Sequence, residues 1–218
     1  MKEITLRTLT SLTLGTLFFW AYMYIAPFYF SLVLAGILLQ VVLFEWRMLF
    51  DLKKPLFWIL MPLYPILPFI LLILINQQPA YHPLLLVLFV LVCSHDTGSY
   101  LFGSLLGKNK IAPTVSPGKT WEGFWGGYLV ALGTLSLLLW IQKIQRPLWQ
   151  LALLTLLVCA LSLAGDLFES WLKRRARIKD TGDILPGHGG FLDRFDGILF
   201  AVFFFYLFRD YLSTLLAN

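Results

Sequence analysis

The sequence predicts an all-α polytopic integral membrane protein with about seven transmembrane helices. Only 13% of the 218 residues are charged, whereas soluble domains carry about 25%. Hydrophobic residues make up 59% of the chain, and the mean hydropathy is +0.77. Apolar runs of about 20 residues, the length that crosses the hydrocarbon core, recur along the whole chain. The predicted spans are 8–26, 28–45, 56–76, 84–106, 123–141, 148–170 and 197–216.

The first three spans form an amino-terminal hydrophobic region at 1–80, which precedes a region at 81–218 that carries the polar motifs. Cationic residues precede the first span, as in a signal peptide, but no clean cleavage site follows, so we expect a retained span. Pro27 alone separates the first two spans, which predicts a tight hairpin. The third span contains three prolines and should be kinked or split, because proline lacks a backbone N–H and clashes with the preceding turn.

The cationic residues predict the orientation in the membrane. If the amino terminus is inside, only Lys143, Arg146 and Arg209 lie on the outer side. Fourteen lie on the inner side: Lys2, Arg7, Arg47, Lys53, Lys54, Lys108, Lys110, Lys119, Lys173, Arg174, Arg175, Arg177, Lys179 and Arg194. Since positive charge accumulates in cytoplasmic loops, the loops 107–122 and 171–196 should face the cytoplasm. The net charge of +5 is thus explained by membrane topology, and no nucleic-acid partner is expected.

The most polar stretch of the chain is 164–197, which holds six of the twelve carboxylates and six of the seventeen Lys and Arg residues. Such a stretch is costly in an apolar protein unless it has a function. The first half predicts one polar helix face, formed by Asp166, Glu169, Ser170, Lys173, Arg174 and Arg177. A basic juxtamembrane helix end would explain the cations. It does not explain the carboxylates, which a lipid-facing helix should avoid.

The second half of this stretch is a glycine-rich loop at 181–190, followed by Asp193, Arg194 and Asp196 at the start of another helix. Glycines let a backbone approach a ligand closely and turn its N–H groups towards phosphate oxygens. An ordinary interhelical turn is the alternative, but it needs only about two to eight residues. Magnesium is usually held by one or two carboxylates and the substrate's own phosphates, so this pattern suggests a divalent cation on a polyphosphate.

A second polar cluster interrupts the fourth span. Asp96 lies there among His95, Thr97, Ser99 and Tyr100, and a carboxylate at that depth needs a partner or a water-filled cavity. A polar helix-packing cluster is the alternative. The loop that follows contains Ser116-Pro-Gly-Lys-Thr120, which lacks the first glycine and the preceding strand of a phosphate-binding P-loop. The glycines at 126 and 127 suggest close helix packing.

Both polar regions resemble the phosphatidate cytidylyltransferase, or CDP-diacylglycerol synthase, family. The resemblance covers roughly 90–210. It rests on these downstream motifs: Ser170-Trp-Leu-Lys-Arg, Lys179-Asp180 and Pro186-Gly-His-Gly-Gly-Phe-Leu-Asp-Arg-Phe-Asp196. Upstream it rests on these: Asp96-Thr-Gly-Ser-Tyr100, Phe102-Gly103, Gly107-Lys108 and Ser116-Pro-Gly-Lys-Thr-Trp-Glu-Gly123. The chain is shorter than bacterial members of that family, and Ser99 stands where an alanine is common.

The resemblance implies a membrane enzyme, a nucleotidyltransferase of phospholipid biosynthesis, with its catalytic region at 81–218. Its reaction would convert CTP and phosphatidate into CDP-diacylglycerol and pyrophosphate, and the expected location is the bacterial cytoplasmic membrane, among membrane lipids. The expected catalytic residues are Asp166, Lys173 and Asp193. The expected substrate-binding residues are Lys119, Ser170, Arg174, Lys179, Asp180, Gly189, Gly190 and Arg194. Magnesium is the expected cofactor, with room for a second cation, and its candidate ligands are Asp166, Asp193, Asp196 and Asp96. A homodimer is left open.

Three other functions remain in view. A CDP-alcohol phosphotransferase shares the start of an aspartate motif with 193–197, but its later residues are missing here. Another CTP-dependent lipid enzyme, resembling a CDP-archaeol synthase or a polyprenol kinase, would use the same kinds of residue in its site. A transporter could also contain intramembrane carboxylates, but it would not need a glycine-rich basic loop, and the chain has no visible internal repeat.

Overall fold

The computed structural model describes residues 13, 15–51, 53–182, 184 and 189–216. The helices, numbered in chain order, are α1 (described at 15–24), α2 (Pro27–Gln40), α3 (Trp46–Leu49), α4 (Pro55–Met61), α5 (Leu67–Gln77), α6 (His82–Leu106), α7 (Trp121–Ile141), α8 (Leu148–Arg175), α9 (Leu192–Leu207) and α10 (Arg209–Leu216). Two π-helical segments, Val41–Glu45 and Pro62–Ile66, join α2 to α3 and α4 to α5. Two short strands, β1 (Lys110–Ala112) and β2 (Ser116–Thr120), pair antiparallel.

The protein is an α-helical membrane protein, as the sequence predicts. Within the described residues, five continuous helical stretches are long and apolar enough to cross a membrane, and α9 with α10 forms a sixth if that bent pair counts as one span. The five are Pro27–Leu49, Pro55–Gln77, α6, α7 and α8. The predicted span 8–26 lies partly outside the described residues. Large apolar side chains on these helices face outwards, as expected of surfaces that contact lipid.

The amino-terminal region packs as the proline pattern predicts. Phe18 of α1 contacts Phe30 of α2 with ring centroids 5.5 Å apart, which is consistent with a tight hairpin around Pro27. The third span is broken at Pro62–Ile66, where Tyr64 has the non-helical backbone angles φ −153° and ψ 107°. This break turns the Tyr64 ring inwards, where it is buried against Phe168 of α8 with centroids 5.1 Å apart.

The most extensive helix pair is α6 and α7, and glycines explain how closely these helices approach. A Cβ atom placed on Gly98 would lie 2.8 Å from the Cα atom of Gly127. The expectation of close helix packing at this glycine pair in α7 is therefore confirmed. The close approach fixes the start of α7, where the Thr120 hydroxyl accepts a hydrogen bond from the Gly123 N–H at 3.1 Å. It also places the β1–β2 hairpin, which the all-α prediction did not include, directly above α6.

Two predicted boundaries are corrected. First, α8 ends at Arg175, and Arg177 has a positive φ of 60°, so Arg177 does not continue the polar helix face. Second, the predicted span 197–216 is not one straight helix: α9 begins at Leu192, and α10 leaves it at an angle of 90°. Beyond the bend, the Arg146 side chain donates to the backbone carbonyls of Thr214 and Leu215 at 2.9 and 2.7 Å, which ties α10 to the α7–α8 connection.

Candidate active site

A half-buried lysine lies at the centre of the polar end of the bundle. The Lys173 Nζ atom donates a hydrogen bond to Asp193 Oδ1 at 2.6 Å. It also lies 3.1 Å from Glu169 Oε1, but the geometry of that contact is not that of a hydrogen bond. Glu169 is fully buried, and its other oxygen accepts the Tyr64 hydroxyl at 3.4 Å. One ammonium group thus faces two buried carboxyl groups.

Asp193 is held from three directions besides Lys173. Its Oδ2 atom accepts hydrogen bonds from the Thr181 N–H at 2.9 Å, the Thr181 hydroxyl at 2.9 Å and the Gly190 N–H at 2.8 Å. Gly189 has a φ of +80°, and a Cβ there would lie 2.5 Å from Asp193 Oδ2, so this position suits only glycine. The described part of the glycine-rich loop therefore wraps around a carboxylate. The Pro-Gly-His part of the motif, at 186–188, lies outside the described residues.

The loop meets a second buried carboxylate, Glu45, from the amino-terminal region. Glu45 Oε1 accepts the Phe191 N–H at 2.9 Å, and Oε2 accepts the Leu192 N–H at 2.7 Å. The Thr181 hydroxyl lies 3.2 Å from Oε2. Sequence reasoning missed this residue. The one available signal was a lone carboxylate at the end of an apolar span, which is also the usual place for an interfacial acid.

A second lysine–carboxylate pair joins the hairpin to α8. Lys119 of β2 forms a short ion pair with Asp166. The two side chains remain 29% and 19% exposed, so this pair is more open than the pair around Lys173. Beside it is a cavity of about 200 Å³ between α6, the hairpin and α7. The cavity is lined by polar groups of the upstream motifs, including Asp96, Ser99, Ser116 and Lys119.

The other two candidate metal ligands are Asp96, which lines this cavity, and Asp196, which does not. Asp96 is about half exposed and lies 3.6 Å from the Nδ1 atom of His95, a buried nitrogen without a hydrogen-bond partner in the described part of the chain. Asp196 is 8% exposed, and its Oδ1 accepts the Gly197 N–H at 2.7 Å. Asp196 is within electrostatic range of Asp96, Lys119 and Lys173.

The other predicted binding residues lie at the rim. Arg174 is exposed, and its Nε donates to the backbone carbonyl of Val115 at 3.2 Å, so α8 is tied to the hairpin turn. Lys179 and Asp180 are exposed in the segment that follows α8. Arg194 is exposed on the first turn of α9, and Ser170 is half-buried on α8.

The predicted site residues are thus brought to one end of the bundle, but not into one cluster. Asp166 and Asp193 pair with different lysines. Within the described residues, no three His, Cys, Asp or Glu side chains are arranged as a metal-binding group. The Gly190 N–H is directed at Asp193 rather than into the cavity. Besides Glu45, the sequence did not identify Thr181 or Tyr64, because their roles depend on contacts between distant segments.

The donor chemistry fits magnesium nonetheless. Carboxylate oxygens are its preferred protein ligands, and it commonly uses one or two of them together with substrate phosphates rather than an all-protein cage. Asp193 has both oxygens occupied by donors, whereas Asp166 and Asp196 each have one oxygen paired in the described structure. Asp166 and Asp196 are therefore better placed than Asp193 to hold a cation.

The fold and the site define a polytopic membrane protein whose helix ends collect carboxylates, ammonium groups and a glycine-rich loop at a polar cavity. A family model described as "Cytidylyltransferase family" matches residues 3–212. The chain belongs to this cytidylyltransferase family.

Curated relatives carry a more specific name. The chain is 44% identical over 118 residues to a phosphatidate cytidylyltransferase of Staphylococcus haemolyticus, a match that covers 54% of this chain and 45% of the relative. It is 46% identical over 117 residues to a phosphatidate cytidylyltransferase of Bacillus subtilis, which covers 54% of this chain and 44% of that one. The match to the Staphylococcus aureus protein is 44% identical over 118 residues, covering 54% and 45%. The chain therefore spans about half the length of these relatives.

Proposed function

We propose that this protein is a CTP:phosphatidate cytidylyltransferase that makes CDP-diacylglycerol and pyrophosphate. The observation that carries the proposal is the pair of lysine–carboxylate contacts, Lys119–Asp166 and Lys173–Asp193, at the polar end of a chain of this family. Both substrates are polyanions. A site that supplies two ammonium groups beside a polar cavity is suited to bring their phosphates together.

In the proposed reaction, a phosphate oxygen of phosphatidate attacks the α-phosphorus of CTP. The new P–O bond forms as the bond to the β-phosphate oxygen breaks, and pyrophosphate leaves with the electron pair. The nucleophile is already anionic, so no strong general base is required. The main obstacles are repulsion between the anions and the charge that develops on the leaving group. The ammonium groups of Lys119 and Lys173 reduce both.

The carboxylates hold these cations in place. Asp166 orients Lys119, which lines the cavity, and Asp193 orients Lys173 with the help of the loop around Thr181. Arg174 and Lys179 add positive charge at the rim, where anionic substrates would arrive. Ser170 is placed on the same helix as Asp166 and is proposed to contact substrate.

Magnesium is the proposed cofactor. When bound, it would neutralise phosphate charge and polarise the phosphoryl group. Asp166 and Asp196 are the proposed ligands, with Asp96 as a third candidate at the cavity wall. Gly165 lets α8 approach α9 closely here, because a Cβ on it would lie 3.0 Å from the carbonyl carbon of Asp196. A second cation remains a further prediction.

The proposed location is the bacterial cytoplasmic membrane, with the amino terminus and the polar end in the cytoplasm. The charge distribution supports this orientation, since fourteen of the seventeen Lys and Arg residues fall on that side. CTP is a cytoplasmic nucleotide, and phosphatidate would come from the surrounding lipid. A homodimer remains a prediction. Measuring the mass of the detergent-solubilised protein would test it.

The deciding experiment uses purified protein in detergent with labelled CTP, magnesium and phosphatidate. We expect a labelled liponucleotide, abolished by EDTA and restored by magnesium but not by calcium, whose looser coordination would misplace the phosphates. Asp166→Asn should remove the activity. Product from an ether analogue alone would instead favour a CDP-archaeol synthase-like enzyme. Phosphorylation of a polyprenol would favour the kinase, and the absence of any lipid product would contradict the proposal.

A further inference from the structure

Glu45 is a buried carboxylate of the amino-terminal region that the proposed reaction does not yet use. It ends the π-helical segment Val41–Glu45, and only 1% of its surface is exposed. A carboxylate buried this deeply in an apolar protein is costly unless its oxygens are satisfied. All of its hydrogen-bond donors come from 136 to 147 residues further along the chain.

Glu45 caps the first turn of α9 from another helix. The Phe191 and Leu192 N–H groups that it accepts lie at the beginning of α9, where backbone donors have no intrahelical partner. Phe191 cannot cap the helix with its own side chain. A carboxylate is also favoured there by the positive end of the helix dipole. The direction of α9, and with it the position of Asp193, therefore depends on Glu45.

The Thr181 hydroxyl connects Glu45 to Asp193. It lies 3.2 Å from Glu45 Oε2 and 2.9 Å from Asp193 Oδ2, and its single proton can serve only one of them at a time. The Thr181 N–H also donates to Asp193, so a shift of Thr181 would move both contacts. Thr181 is fully buried between the two carboxylates.

Gly190 completes the connection. Its N–H donates to Asp193 at 2.8 Å, while a Cβ on the same residue would strike the Glu45 carboxylate. The loop thus touches Glu45 on one side and Asp193 on the other. Lys173 then continues the network, since it is paired with Asp193.

We infer that Glu45 is a positioning residue of the active site, acting through Thr181 and the start of α9 on Asp193 and Lys173. The inference rests on the proposed function, and it gives the amino-terminal region a part in the reaction beyond membrane anchoring. Glu45 itself touches no reacting atom in this scheme.

The test compares Glu45→Gln with Asp51→Asn. Glutamine has the same shape as glutamate. Its NH₂ group, however, must face one of the backbone N–H groups from which the Glu45 carboxylate accepts a hydrogen bond, and two donors cannot pair. We expect kcat to fall about tenfold to a hundredfold, the usual effect of losing a partner that orients a catalytic group, with the KM values little changed. Asp51 is an exposed carboxylate near Glu45 that accepts the Lys53 N–H, and its substitution should leave kcat unchanged. Wild-type kcat in Glu45→Gln would overturn the inference.

A second variant and a second measurement distinguish the loss of a positioning residue from a general loss of folding. Thr181→Val removes the bridging hydroxyl alone and should lower kcat, and the double variant should be no worse than the more damaged single one. Amide hydrogen exchange should accelerate in Glu45→Gln around 181–192 but not in Asp51→Asn. A kcat loss explained entirely by fewer folded molecules, or unchanged exchange, would overturn the inference. Inactive wild-type protein would instead contradict the proposed function, and the exchange result would still decide the role of Glu45.

Discussion

At the scale of single residues, Lys173 is expected to serve stability as well as turnover. Lys173→Met would leave Glu169 and Asp193 buried without their cation. Breaking a buried pair by removing one partner costs about 3–5 kcal/mol, because an unpaired charge stays behind. We therefore expect a lower thermal midpoint in detergent and a severe loss of liponucleotide formation, each measured on the purified variant.

A double variant separates the effect on stability from the effect on activity. Adding Glu169→Gln to Lys173→Met removes one of the two orphaned carboxylates, so the thermal midpoint should rise again while activity stays lost. Lys173→Arg should rescue only part of the activity, because the planar guanidinium does not reproduce a compact ammonium. Near-normal turnover in Lys173→Met would contradict this role and would indicate that this helix end serves only as a lipid anchor.

The Lys119–Asp166 pair should behave differently, because it is more exposed. We expect Lys119→Met to change the free energy of unfolding by about 1 kcal/mol or less, as is usual for accessible ion pairs. Activity should nevertheless fall sharply in Lys119→Met and in Asp166→Asn, and the double variant should be no worse than either, as for groups that act as a unit. Lys108→Met, an exposed lysine of the same loop, serves as the control. Additive losses would argue against a shared role.

The sequence could identify Asp166 and Lys173 because helical periodicity places both on one face of a single helix. Their partners were harder to predict. Glu45 and Tyr64 lie in the amino-terminal region and reach the site only through packing between spans, which periodicity does not encode. Asp166 and Asp193 were both expected among the ligands of magnesium, whereas each carboxylate has its own lysine in the folded chain.

At the scale of helices and strands, the contact between α6 and α7 should be sensitive to a single methyl group. A Cβ on Gly127 would meet the His95 carbonyl oxygen at 2.5 Å, so Gly127→Ala must push α6 and α7 apart. We expect a loss of about 1–3 kcal/mol, which is typical of overpacking. The thermal midpoint in detergent measures it.

Gly133→Ala provides the matched control on the same helix. A Cβ at Gly133 has no neighbour within 4 Å, so alanine there should be neutral or slightly stabilising through its better helix propensity. Equal effects of the two substitutions would show that helix propensity, rather than the contact with α6, governs this position.

Hydropathy alone predicted where the spans lie. Breaks within a span could be predicted only where a residue such as proline marks the break. The prolines at 62 and 65 made the break before α5 predictable. The 90° turn between α9 and α10 was not predictable in the same way, because no proline or glycine lies between 198 and 216. That turn depends on tertiary contacts, such as those of Arg146 with the end of α10. The β-hairpin was missed because its strands are only three and five residues long.

At the scale of the whole molecule, the proposed orientation can be tested with cysteines at the two ends of the bundle. Ile184→Cys places a thiol at an exposed position of the glycine-rich loop, in a background that lacks the exposed Cys93. Because this loop should be cytoplasmic, we expect labelling by a membrane-impermeant reagent in inverted vesicles but not in intact spheroplasts.

The matched control is Gln145→Cys in the connection between α7 and α8, which should show the opposite pattern. Thr181 is a poor labelling site despite its place in the loop, because it is fully buried. Labelling of Ile184→Cys from outside intact spheroplasts would reverse the proposed orientation.

The perpendicular helix α10 has a consequence for how ligands enter and leave the protein. It is fastened at the end of the bundle remote from the active site: Tyr81 donates a hydrogen bond to Asp210, and the guanidinium of Arg209 stacks on the rings of Tyr81 and Tyr206. A transporter must open to both faces of the membrane in alternation. A bundle tied together in this way favours the proposed enzyme over a transporter, because the proposed nucleotide, pyrophosphate and lipid product would all enter and leave at the opposite membrane face.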